Sequence, residues 1–94
     1  MPDSDEFLDA ALKYRPEIVL RYRQFASKKP IMLFDRQEER IYAYPCAEFI
    51  EDLSPKSQPS VKEQYDEAVR SGQMVVFVRD NEQRRLISYT LAVE

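Results

Sequence analysis

Ile31-Met32-Leu33-Phe34-Asp35-Arg36-Gln37-Glu38-Glu39-Arg40-Ile41-Tyr42-Ala43-Tyr44 is an apolar run, a charged turn and a run that alternates apolar residues with tyrosine. The same layout returns later as an apolar run at 74–78, a polar turn at 79–85 and a tyrosine-bearing run at 86–93. Each copy follows a segment with helical periodicity, so the chain reads as two helix-plus-hairpin units offset by roughly 43 residues, a pseudo-repeat.

The two strands of the first copy differ in kind. Four consecutive apolar residues at 31–34 suit a strand buried on both faces, whereas Arg40 to Tyr44 alternates, with Ile41 and Ala43 on one side and Tyr42 and Tyr44 on the other. The turn lacks glycine, which argues against a tight two-residue hairpin and for a longer loop. In the second copy Ile87, Tyr89, Leu91 and Val93 share one face of the last strand.

Working outward, Asp3 followed by Glu6 resembles a helix-starting capping box. Phe7, Leu8, Ala11, Leu12, Ile18, Val19, Tyr22, Phe25 and Ala26 form one stripe at helical spacing. Pro16 interrupts it. A proline costs about 3 kcal/mol in a helix interior but nothing comparable in a first turn, so a kinked or two-part helix packing one continuous face is expected. A short helix with Cys46, Phe49, Ile50 and Leu53 on one side is expected after Pro45, then a proline-punctuated linker at 54–59. Ser60 with Glu63 forms a second capping box, and the lone glycine, Gly72, falls where a helix ends in a left-handed residue.

These elements predict one α+β domain over residues 1–94: a mostly antiparallel four-stranded sheet of two hairpins, with two or three helices on one face, in the order α-β-β-(α)-α-β-β. With 94 residues, 44% of them hydrophobic, five phenylalanines and six tyrosines, one core is affordable and two are not. A single cysteine fits a reducing compartment rather than a disulfide scaffold, and the acidic start does not read as a signal peptide. A cytoplasmic protein without a membrane span is expected.

Composition also bounds the chemistry. There is no histidine, which removes the commonest general base and metal ligand, and one glycine cannot build a phosphate-cradling loop. Glu63, Asp66 and Glu67, like Glu48, Glu51 and Asp52, stand at spacings that could hold a divalent ion, but the same spacing is what a solvated helix face shows. Cys46 could be an activated thiol at a helix start, or, more ordinarily, a small buried hydrophobe. No catalytic residue, metal or cofactor is assigned, and the chain is expected not to be an enzyme.

The arginine and tyrosine content of the hairpins is what remains. Arg40, Tyr42, Tyr44, Arg84, Arg85 and Tyr89 are the expected partner-binding residues, since flat amphipathic rings and guanidinium groups suit interfaces. The net charge of −3 works against broad attraction to nucleic acid, although the same residues on an uncovered sheet face would stack bases. The ordinary account is that neighbouring acids neutralise the arginines while the tyrosines cover the edge of the core. The C-terminal strand, uncharged over residues 86–93, would pair with a second copy if it lies at an edge and would need no partner at the centre. A protein-interaction or regulatory module, homodimeric through that strand, is therefore the expectation, with a nucleic-acid-associated protein as the alternative.

Overall fold

The computed structural model describes residues 12–93. Along them run α1 (Arg15–Gln24), a 3-10 turn (Ala26–Lys28), β1 (Ile31–Asp35), β2 (Arg40–Tyr44), α2 (Cys46–Glu51), α3 (Gln58–Arg70), β3 (Gln73–Asp80) and β4 (Arg85–Ala92). The expected order of helices and hairpins is matched in outline, with a 3-10 turn added after α1; the Asp3 capping box lies outside the described residues.

The sheet order is β2-β1-β3-β4. Both hairpins are antiparallel, but β1 and β3 lie side by side in parallel, with Met32 opposite Val76 and Phe34 opposite Val78. The sheet is thus mixed, not mostly antiparallel as the two-hairpin pattern suggests. Parallel neighbours need a long crossover, and β2, α2 and α3 together supply it.

The helices cover both faces, a second correction. On one face Ile18 and Tyr22 of α1 pack with Met32, Phe34, Met74, Val76 and Val78; on the other, Val61 and Ala68 of α3 pack with Ile31, Leu33, Val75 and Phe77. All five residues of β1 are buried, so this strand demands apolar cover above and below. One helical layer could not have provided it. Phe49 of α2 reaches Phe77 with ring centroids 4.6 Å apart, and Tyr14 stacks on Phe34 at 4.6 Å on the opposite face.

A two-fold axis running along the strands between β1 and β3 describes the topology. It exchanges β1 with β3, β2 with β4 and α1 with α3, and it exchanges the faces. The sequence carries the same signature: Asp35 corresponds to Asp80 and Tyr44 to Tyr89 by an odd offset, and an odd offset sends a strand side chain to the other face.

Local chemistry explains the ends of the elements. Pro16 stands in the first turn of α1, where its missing N–H is harmless, and Tyr14 separates it from the helical Leu12 and Lys13. Phe25 departs from the stripe: the helix ends at Gln24, and Phe25 is 42% exposed. α3 begins at Gln58 with Pro59 in its first turn, ahead of the expected Ser60–Glu63 box, and the Ser60 hydroxyl instead donates to the Ser57 carbonyl at 3.1 Å. Gly72 closes α3 at φ 70°, a left-handed value that a side chain would strain.

Candidate functional site

The most specified polar cluster joins the two hairpin turns. Asp35 ends β1 and Asp80 ends β3, and each is buried, at 1% and 2% exposure. Each carboxylate organises the turn that follows: Asp35 Oδ1 accepts from the amides of Gln37 and Glu38, both at 3.0 Å, and Asp80 Oδ1 accepts from those of Glu82 and Gln83 at 2.9 and 3.0 Å. Aspartate suits these places because its short side chain bonds backbone two and three residues on. Both turns then close through a left-handed residue, Glu39 and Arg84, each at φ 54°.

The turns also hold each other. Arg79 Nε donates to Asp35 Oδ2 at 2.8 Å, and an Arg36 guanidinium nitrogen donates to Asp80 Oδ2 at 2.6 Å. The Gln37 side chain donates to Asp80 Oδ1 at 2.9 Å and accepts from the Asn81 amide at 2.8 Å. Burial pushes the Asp35 carboxyl up, but the Glu38 amide, Arg79 and the Gln37 amide outweigh it and hold the group below the usual aspartate value. Burial likewise pushes Asp80 up, and the Gln83 amide, Gln37, Arg36 and the Glu82 amide bring it below. The arginines and acids that flank the turns are therefore partly consumed in fastening the two hairpins together. This cluster presents satisfied groups, and its chemistry is structural.

The expected partner-binding residues fall at the two opposite edges of the sheet. Arg40, Tyr42 and Tyr44 stand on β2, Arg85 and Tyr89 on β4, and Arg84 in the turn before β4, with β1 and β3 between the two groups. Two intervening strands put roughly 14 Å between β2 and β4, so the six do not converge. Arg40 lies over the Tyr42 ring at 5.6 Å, and Tyr42 stacks on Tyr44 at 5.9 Å. Neither tyrosine forms an open platform: the Tyr44 ring meets Phe49 of α2 at 5.9 Å, and the Tyr42 hydroxyl donates to Glu38 at 2.6 Å. Arg84 is exposed and Arg85 half-buried. Tyr89 is half-buried on the α1 face; its hydroxyl oxygen is buried without a hydrogen-bond partner among the described residues, and burial pushes its pKa up to about 12, with Arg15 opposing.

Among the described residues, the main chain of the two sheet edges is where unmet bonding capacity lies. In β4, the Val93 amide donates to the Gly72 carbonyl at 3.3 Å, so alternation turns Ile87, Tyr89 and Leu91 toward β3 and leaves Leu86, Ser88, Thr90 and Ala92 with N–H and C=O directed outward. The side chains of those four are exposed, and Ser88 donates to Gln64 of α3 at 3.0 Å. In β2, the Arg36 amide donates to Arg79 across the β1–β3 pair, so the alternating amides of β1 turn toward Tyr42 and Tyr44, and Ile41 and Ala43 face outward. The sequence marked β4 as strand-pairing material, but it left open whether that strand lies at an edge, which depends on strand order.

Candidate metal and thiol chemistry can be placed as well. Among the described residues no three acidic or cysteine side chains gather as a metal would require. Asp66 pairs with Lys62 at 2.7 Å and Glu67 with Arg70. Cys46 begins α2 half-buried; burial pushes its thiol above the ordinary value, Lys62 opposes and Asp66 adds. An exposed depression of about 670 Å³ between α2 and α3 includes Cys46, Ile50, Lys62 and Tyr65 in its lining. No helix of the described residues is long and apolar enough to cross a membrane.

No family model matches this chain, and no curated protein or solved structure matches it.

Proposed function

We propose that this protein is a non-catalytic interaction module whose β4 edge pairs with a strand of a partner, in the first instance with β4 of a second copy. The observation that supports this is the eight-residue edge strand Arg85–Ala92, whose outward main chain at Leu86, Ser88, Thr90 and Ala92 meets no other strand among the described residues. Natural edges are usually short, charged, proline-bearing or covered; this one carries no charge after Arg85.

Self-pairing suits the residues. A two-fold axis at Tyr89 sets Leu86 opposite Ala92 and Ser88 opposite Thr90 of the antiparallel copy, with no like charges face to face. The half-buried row Ile87, Tyr89, Leu91 and Val93 would then continue from one copy into the next and lose its remaining exposure.

Sedimentation equilibrium tests the reading. The expected mass is twice the 11.2 kDa of the chain. Thr90→Pro removes an outward N–H without touching the β3–β4 ladder, and it should yield a folded monomer. A single 11.2 kDa species at concentrations up to about 1 mM defeats the reading.

A further inference from the structure

The helical layers on the two faces of the sheet carry opposite charge. Residues 12–34, which hold α1 and the 3-10 turn, contain Lys13, Arg15, Arg21, Arg23, Lys28 and Lys29 against one acid, Glu17, a net charge of +5 in a chain of −3. Residues 46–70, which hold α2 and α3 on the other face, contain six acids and three basic residues, and Lys62 and Arg70 there pair with Asp66 and Glu67. All six basic side chains of the α1 segment are exposed, and none joins an ion pair among the described residues.

The same segment carries exposed apolar groups. Of the four large hydrophobic side chains left exposed among the described residues, three belong to it: Leu12 at 66%, Leu20 at 61% and Phe25 at 42%. Ile18 and Tyr22 face the sheet, so helical spacing turns Leu20 directly away from it, with Arg23 one turn further along. Phe25 follows the last turn, beside Lys28 in a depression of about 230 Å³.

We propose that the α1 surface adsorbs to an anionic lipid bilayer, with the helix lying in the plane of the membrane, Leu20 entering the headgroup region and the basic side chains around it meeting the lipid phosphates.

Charge and exposed apolar groups together select a bilayer. Basic residues gain from the negative potential of anionic lipids, an inserted apolar side chain gains from the area it removes from water, and interfacial helices combine both. A nucleic acid would use the charge but leave Leu12, Leu20 and Phe25 without a partner, since what it offers to nonspecific binding is its phosphate backbone. The asymmetry also orients the molecule, drawing the α1 face toward an anionic plane and turning the acidic α2–α3 face away. The opposing groups are few. Glu17 stands on the flank of α1 toward β2, and Glu39 accepts the Tyr14 hydroxyl at 3.1 Å; Asp3, Asp5, Glu6 and Asp9 lie outside the described residues. This surface does not include β4 and does not depend on pairing there.

The chain has no tryptophan, so Leu20→Trp places a single reporter at the point of entry. Its emission should shift to the blue with vesicles of phosphatidylcholine holding about one-third phosphatidylserine, and stay unchanged with phosphatidylcholine alone, at about 0.1 M salt. In co-sedimentation, the unsubstituted chain should bind the anionic vesicles at least about tenfold more tightly than the neutral ones. Arg23→Glu with Lys28→Glu should weaken that binding at least about tenfold, and Leu20→Gln several-fold. An unshifted emission with anionic vesicles, equal binding to both kinds of vesicle, or undiminished binding by Leu20→Gln overturns the proposal. A chain that ignores both vesicles but binds a labelled DNA oligonucleotide, with Leu20→Gln no weaker, assigns the surface to nucleic acid and overturns it too. Should the double exchange fail to fold by circular dichroism, the response of Leu20→Trp to the two kinds of vesicle still decides the outcome.

Discussion

Asp35 and Arg79, 44 residues apart in sequence, are cross-strand neighbours in the parallel β1–β3 pair and share a hydrogen bond of 2.8 Å. Asp35 is buried to 1% exposure while the Arg79 side chain keeps 38%. The aspartate therefore depends on its partners more than the arginine does. Through this pair and the Arg36–Asp80 pair, each hairpin holds the buried carboxylate of the other.

Removing the acceptor should cost more than removing the cation. Asp35→Ala deprives the Gln37 and Glu38 amides of their acceptor as well as Arg79 of its partner, and a loss of about 3 kcal/mol is expected in urea unfolding. Arg79→Ala leaves both amides bonded, and its expected loss is about 1–2 kcal/mol. Equal losses would show that the ion pair, not the turn, is what the aspartate serves.

Acid should unfold the protein through these carboxylates. Both have folded-state pKa values held below the ordinary aspartate value, so the unfolded chain takes up protons first as pH falls. Their contribution is complete above the unfolded pKa, near 4, and is lost as pH drops through the folded values. Thermal melts should show a falling midpoint below that pH, with a flatter profile in Asp35→Asn with Asp80→Asn. A double variant that keeps the wild-type slope would assign the acid sensitivity to other groups.

At the alkaline end the sign reverses. Tyr89 has its folded-state pKa raised to about 12 by burial, so its contribution is present below the ordinary tyrosine value and is lost as pH rises from there through about 12. Tyr14, Tyr22, Tyr42 and Tyr65 are also raised above the ordinary value, and ultraviolet titration should show the last of the tyrosine steps disappear in Tyr89→Phe. Because the hydroxyl oxygen is buried without a partner among the described residues, Tyr89→Phe should also be neutral or stabilising by about 1 kcal/mol. A marked destabilisation would reveal a hydrogen bond to that oxygen.

Two backbone positions make opposite predictions. A Cβ at Gly72 would meet nothing within 4 Å, so Gly72→Ala should lose only the cost of a left-handed side chain, about 1 kcal/mol. Arg84 already bears that strain at φ 54°, and Arg84→Gly should gain a few tenths of a kcal/mol. Urea midpoints compare the two; a loss at both would mean that the Arg84 side chain stabilises the turn.

Much of the local structure was legible in the residues. The apolar run at 31–34 reads as a doubly buried strand because no polar side chain interrupts it, and Arg40 to Tyr44 reads as a half-buried one because its residues alternate; both are found so. The break at Pro16 and the end of α3 at Gly72 follow from a missing N–H and a missing Cβ. Neither capping box was a comparable guide: the one at Ser60 lies inside α3, and the one at Asp3 falls outside the described residues.

By itself the sequence determined where strands and helices form, which side of each strand is apolar and that two similar units follow one another, because periodicity and turn chemistry act over a few residues. Only the tertiary structure decided that β1 and β3 lie parallel, that helices cover both faces, and that β2 and β4 become the edges. Those outcomes depend on contacts between residues more than forty positions apart, such as Arg79 with Asp35. They follow from the need of two doubly buried strands for cover on both sides, a demand that the whole chain satisfies and no single segment records.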